Sequence, residues 1–241
     1  MPEITSVTFF KCRGFKDQFW LFKMMRFSHA FLQEVKGQTF YKLMGSGRGI
    51  GFNPWPDFST YAMIQVWEDE QYAHRFFEDA KLMERYERHT TDRWTLLMRN
   101  ITSKGRWSGN SPFAPSTNLD PHNPYIAVIT RATIRPARLW QFWKYVPTSQ
   151  KPLTNQPGLI YTKGIGEVPV LQMATFSLWE SEQALKNFAY QRSEHTVAIQ
   201  KTRQLDWYSE ELFSRFQPFA SYGSWEDLNQ LDLQLPNNPP N

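Results

Sequence analysis

"IQVWEDEQYAHRFFED" (residues 64–79) and "FSLWESEQALKNFAYQ" (residues 176–191) are one stretch written twice. Trp67 falls on Trp179, Glu68 on Glu180, and Glu70 and Gln71 on Glu182 and Gln183, at an offset of 112. Upstream, "FWLF" (19–22) lies over "LWQF" (139–142), and Gly45-x-Gly47 over Gly164-x-Gly166 at an offset of 119. Such long periods mark a doubled domain rather than a solenoid array.

Each copy reads β-α-β-β-α-β. In the first, 4–11 alternates as a strand, and 15–36 carries Leu21, Met24, Met25, Ser28 and Leu32 at helical spacing. Segments 39–46 and 59–67 are rich in β-branched and aromatic residues and read as strands. A helix over 69–87 and a strand over 92–101 complete the half. The second copy gives strand 125–134, a helix over 136–146 opened by Pro136, strands 159–165 and 170–179, helix 181–190 and strand 206–216.

This order is the split βαβ, ferredoxin-like motif. The fold class is therefore α+β, with two ferredoxin-like repeats in one chain forming a dimeric α+β barrel-type domain. The first half spans 1–103 and the second 125–219. Pro, Ser, Asn and Gly mark 104–124 as a linker, and the polar stretch 220–241 reads as a disordered tail.

The offset falls from 119 to 112 across the turn between the second and third strands, so the first half carries seven extra residues there. They include the later part of "MGSGRGIGF" (44–52) and "NPWPDF" (53–58). Glycines at the first, third and sixth positions of a dinucleotide fingerprint are not met, and no Gly-Lys-Ser/Thr follows. Gly45 and Gly47, shared with the other half, suit architecture. Gly49, Gly51 and Trp55, which the second half lacks, are candidates for a lid or entrance over a ligand.

The 241 residues are 41% hydrophobic and 21% charged, a globular composition. Aromatic residues reach 16%, an excess that suits a pocket for a flat or long apolar ligand. The net charge of +4 comes from scattered basic residues, which argues against a nucleic-acid stripe but is compatible with anionic membrane surfaces. The lone Cys12, the lack of a signal-like start and the lack of a spanning apolar run fit a soluble, cytoplasmic protein.

No HExxH, zinc spacing or G-x-S-x-G elbow is present, so a cofactor would have to supply any chemistry. Glu210 and Glu211 adjoin on opposite faces of a strand and read as a solvated edge. His29, His74, His89 and His122 read as boundary or surface residues. His195 shares a helical face with Ala198, Ile199 and Thr202. A histidine so placed is either a satisfied core residue or the ligand of a metal or haem iron.

Three blocks, "FYKLMGSGRGIGF" (40–52), "ITSKGRWSGNSPF" (101–113) and "FAYQRSEHTVAIQKTRQLDWYSEELFSRF" (188–216), together resemble the spheroidene monooxygenase family of carotenoid biosynthesis. The similarity runs from the first strand to about Phe219. The resemblance implies a haem-containing monooxygenase that adds oxygen near the end of an acyclic carotenoid, giving a hydroxy or keto product. It also implies the dimeric α+β barrel.

Carried over by position, it makes His195 the axial haem ligand, with haem between the second half's sheet and segment 193–204. Arg106 and Trp107 would contact a haem propionate or line the substrate entrance, or would cap the strand and pack the linker. O2 would be co-substrate, with an external electron donor such as a ferredoxin, and oligomerisation and peripheral membrane contact are compatible with the resemblance. Aldoxime dehydratase-like or peroxidase-like chemistry, or a non-catalytic haem-binding module, are the alternatives on the same barrel.

Overall fold

The computed structural model describes residues 2–49, 53–150, 156–190, 206–225 and 228. The elements run β1 (Ile4–Lys11), α1 (Phe15–Phe27), α2 (His29–Leu32), β2 (Gln38–Gly47), β3 (Pro56–Trp67), α3 (Glu70–Asp79), α4 (Lys81–Glu87) and β4 (Asp92–Gly105). The second half follows with β5 (Ile126–Ile134), a 3-10 turn (Pro136–Arg138), α5 (Leu139–Gln150), β6 (Leu159–Val168), β7 (Gln172–Trp179), α6 (Glu182–Tyr190) and β8 (Tyr208–Gly223).

The repeated "WED" and "WES" are strand ends followed by helix caps. The Asp69 carboxylate accepts the amide hydrogens of Gln71 and Tyr72, and the Ser181 hydroxyl accepts that of Ala184. Each satisfies donors that the first turn leaves without a helical partner. Just past each tryptophan, the Glu68 and Glu180 amides donate to the carbonyls of Gly37 and Gly158. Both glycines sit at positive φ, and a Cβ there would fall 2.1 Å from the Tyr72 ring or 2.5 Å from Ala184 Cβ. Only glycine fits either place.

The eight strands close into one antiparallel barrel in the order β1-β3-β2-β6-β7-β5-β8-β4. The two joins between halves are unequal. β4 and β8 pair from Trp94–Gly223 to Gly105–Leu212, whereas β2 and β6 pair only at Gly45–Gly166 and Ser46–Ile165. The fold expected from the duplication is thus the one observed, an α+β barrel.

Strand alternation divides the apolar residues. Val7 and Phe9 point into the barrel, while Ile4 and Phe10 lie under the helices. Trp107 and Phe113 of the inter-half segment, and Trp225 and Leu228 beyond β8, join the interior core.

Several expectations are corrected. The helix read over 15–36 breaks at Ser28, whose buried hydroxyl shares a 2.9 Å hydrogen bond with the Tyr86 hydroxyl. That over 69–87 breaks at Ala80, where the backbone turns extended. β4 and β8 run well past the expected strand ends, and Trp225 and Leu228 are buried, so the chain does not become a free tail at 220. In register, Tyr61 pairs Gly45 as Met173 pairs Gly166. Gly45 therefore matches Gly166, not Gly164, and the first half's turn is longer by nine residues rather than seven. None of Gly45, Gly47, Gly164 or Gly166 has positive φ.

Candidate functional site

The narrow β2–β6 seam leaves space beside it. A Cβ on Gly45 would meet nothing nearer than the Gly166 carbonyl oxygen at 4.0 Å, so the bare backbone keeps a gap open. There a cavity of about 170 Å³ is bounded by Phe22 and Met25 of α1, Phe58 and Tyr61 of β3, Gly166, and Met173 of β7. Its walls are largely apolar, which suits the end of an apolar chain.

The charges at its edge are already paired. Asp57 accepts from Lys163 at 2.9 Å and from the Ser59 hydroxyl at 2.5 Å. Burial alone would raise its carboxyl, but Ser59 and Lys163 outweigh that and hold it below the usual range. Glu167 takes Lys42 Nζ at 2.6 Å and the Trp107 indole N–H at 2.6 Å. Tyr61 differs. Its buried hydroxyl has no hydrogen-bond partner among the described residues. Burial, then the nearby Cys12 and Asp57, push its phenol well above the ordinary range, so it stays a neutral, buried donor.

Behind Glu167 lies a buried cation. Arg131 on β5 is 1% exposed, binds Glu210, stands 3.7 Å from Glu167, and sits with its guanidinium 5.8 Å from the Trp107 ring centre. Glu210 also accepts the amides of Ser108 and Gly109 at 2.9 and 2.7 Å. Glu210 is therefore no solvated edge residue. Burial pushes its carboxyl up, but the Gly109 and Ser108 amides and Arg131 outweigh this and hold it low.

The two halves also differ outside the barrel. In the first, the cross-strand row Leu43–Met63–Thr8–Thr95 is buried under the helices. The matching row in the second half is Gly164–Thr175–Thr130–Phe213, with Thr130 and Phe213 exposed. Among the described residues, α5 and α6 cover only the two ends of this sheet, in separate small clusters.

None of the described histidines reaches that row. His29 bonds the Tyr41 hydroxyl, His74 pairs with Glu70, and His89 binds Asp17 while stacking on Trp20. His122 lies in an exposed turn of the inter-half segment. Cys12 is buried, and burial, with Asp17 and Asp57 adding to it, pushes its thiol up to about 11, so it is no thiolate ligand at neutral pH. His195 and Gly51 lie outside the described residues.

Of the other expected site residues, Gly49 is exposed at positive φ, and its carbonyl accepts from Lys163 at 3.4 Å. Trp55 is 69% exposed and lies outside the cavity wall, which its neighbours Pro54 and Pro56 help form. Arg106 projects to solvent, and its amide donates to the Glu211 carbonyl. Trp107 is buried in the barrel as a strut of the Arg131 network. The sequence reading passed over Tyr61, Arg131 and Glu167. Arg131 carried a signal, since it stands on the inward phase of Ala127 and Ile129 in a strand already recognised.

No protein-family model matches the chain. It is 30% identical over 233 residues to a spheroidene monooxygenase of Rhodobacter capsulatus, covering 96% of each chain. It is 28% identical over 238 residues to that of Cereibacter sphaeroides, covering 98% of this chain and 73% of the relative. Among solved structures, an aldoxime dehydratase in complex with butyraldoxime superposes with a TM-score of 0.61 at 11% identity, over 90% of this chain and 79% of that one. At that identity the likeness is one of fold alone.

Proposed function

The chain belongs to the spheroidene monooxygenase family, and from that membership we propose that it is a monooxygenase that inserts oxygen near the end of an acyclic carotenoid. The observation that carries the substrate side is the seam cavity, largely apolar, with Asp57 and Glu167 at its edge both paired. Phe22, Phe58 and Met173 would exclude water around the chain end. The paired states of Asp57 and Glu167 keep full charges away from the hydrocarbon.

We further propose haem as the cofactor, which would lie on the outer row of the second half with His195 to hold its iron. The exposed Thr130 and Phe213 support this placement, since the matching Thr8 and Thr95 of the first half are buried under its helices. Haem, when bound, would supply the activation of O2, one atom entering a C–H bond and the other leaving as water at the expense of two electrons from an external donor such as a ferredoxin and two protons from solvent. His195→Ala, purified and supplied with haem, is expected to lose or shift the Soret band, and an unchanged band overturns the assignment.

The activity itself is tested by expressing the chain in cells that accumulate acyclic carotenoids. A hydroxylated or keto carotenoid is expected. Unaltered pigment beside conversion of an aldoxime to a nitrile would place the chain with the dehydratases instead.

A further inference from the structure

Helix α1 is apolar on the wrong side. Leu21 and Met24 face the sheet and are buried, which is all that packing the helix requires. Positions 15, 19, 22 and 26 share the opposite face, and three of them are Phe15 (83% exposed), Phe19 (53%) and Phe22 (54%). Phe15 stacks on Phe19, and Phe22 meets Phe58, itself exposed. Such a continuous aromatic surface is not a chance scatter of exposed residues.

Its border is basic. α1 carries Lys16, Lys23 and Arg26, all exposed, and Lys23 Nζ lies 5.1 Å from the Phe19 ring centre. The helix has one acid, Asp17, and it is engaged by His89 at 2.8 Å. A second copy docked face to face would bring these cations against their own images, which disfavours self-association. An anionic lipid surface meets both features, taking the rings at the headgroup boundary and the cations among the headgroups.

We propose that α1 is a membrane-docking helix for anionic bilayers, seating Phe15, Phe19 and Phe22 in the interface. Phe22 and Phe58 also border the seam cavity, so docking sets the cavity entrance beside the hydrocarbon. The role given to the cavity rests on the proposed carotenoid chemistry, whereas the docking does not. A long apolar substrate partitions into the bilayer, and a docked entrance spares it a passage through water.

The test is flotation of the full chain, without carotenoid, on vesicles of phosphatidylcholine alone or with phosphatidylglycerol. The wild type is expected to float with the anionic vesicles, less with the neutral ones, and less as salt rises. Phe15→Ser with Phe19→Ser is expected to reduce binding about tenfold or more while leaving the melting temperature in place. Lys16→Glu with Lys23→Glu gives an independent variant with intact rings and is expected to abolish the preference for anionic lipid.

Wild-type protein that ignores anionic vesicles, or variants that bind as it does, would overturn the proposal. So would sedimentation showing that the phenylalanine variant only breaks up an oligomer. Carotenoid turnover in detergent micelles is read separately. Docking without turnover counts against the carotenoid chemistry alone, and turnover without docking counts against α1 alone.

Discussion

Arg131 stands in the second half where Phe9 stands in the first. Phe9 pairs with Ala62 on β3, and Arg131 pairs with the equivalent Ala174 on β7. Both point into the barrel and both are fully buried. Phe9 is packed among Trp94, Tyr161, Phe176 and Trp225, with ring centres 5.2–5.8 Å apart. Arg131 instead gathers Glu210, Glu167 and Trp107. At this position one half of a duplicated barrel carries an aromatic ring, and the other a cation that ties the 106–110 turn and the seam strand together.

Removing that cation should be costly. Arg131→Ala leaves Glu210 without its counterion and Glu167 with Lys42 alone, and it leaves a void beside Trp107. A loss of about 2–3 kcal/mol is expected in urea unfolding, on the low side for a buried pair because Glu210 keeps some contact with water. Arg131→Met combined with Glu210→Gln should recover part of the loss. Equal stability of wild type and Arg131→Ala would show that the network holds nothing.

The same pair predicts an acid limb. The Glu210 carboxyl is held low in the fold by the Gly109 and Ser108 amides and by Arg131, against the contrary effect of burial. A depressed carboxylate adds stability above its unfolded value, about 4.3, and loses it as pH falls through the lower folded value. Glu210→Gln should therefore melt below the wild type at pH 6, and the gap should close as pH drops under 4. A gap that stays constant from pH 6 to pH 3 would separate the shift from stability.

The duplication was legible because tryptophan, cap and glycine recur together. Trp67–Asp69 and Trp179–Ser181 each end a strand and start a helix, and sequence carries that grammar directly. The seam was not legible. Aligning glycines by their spacing set Gly45 on Gly164, while the register sets it on Gly166, because a Gly-x-Gly spacing recurs in both strands two residues out of step with the pairing. Trp225 and Leu228 escaped for another reason. Two apolar residues in a polar stretch have no period, and only the closed barrel end tells them apart from a tail.

Gly45 has no steric reason to be glycine. Its φ is ordinary and its Cβ direction is open to 4.0 Å. Gly45→Ala should stabilise the barrel by about 0.5–1 kcal/mol, as glycine in a strand interior usually costs that much. Gly45→Leu should place its side chain in the cavity and raise KM for the carotenoid about tenfold, with the fold retained by circular dichroism. Unchanged KM in the leucine variant would remove the cavity from the substrate path.

Tyr61 separates a structural hydroxyl from a recognising one. A buried hydroxyl with no partner carries a desolvation cost that nothing in the described protein offsets, so Tyr61→Phe should raise stability, by about 1 kcal/mol. If a bound chain end displaces the wall so that the hydroxyl reaches an oxygen on it, the same change should weaken substrate binding about three- to tenfold, the worth of one neutral hydrogen bond. The two effects have opposite signs, so a general disturbance of the core cannot produce both. Urea unfolding and a KM measurement on one purified variant decide it. A less stable variant would mean the hydroxyl has a partner within the protein. A more stable variant with unchanged KM would leave the cavity apolar in function as well as in lining.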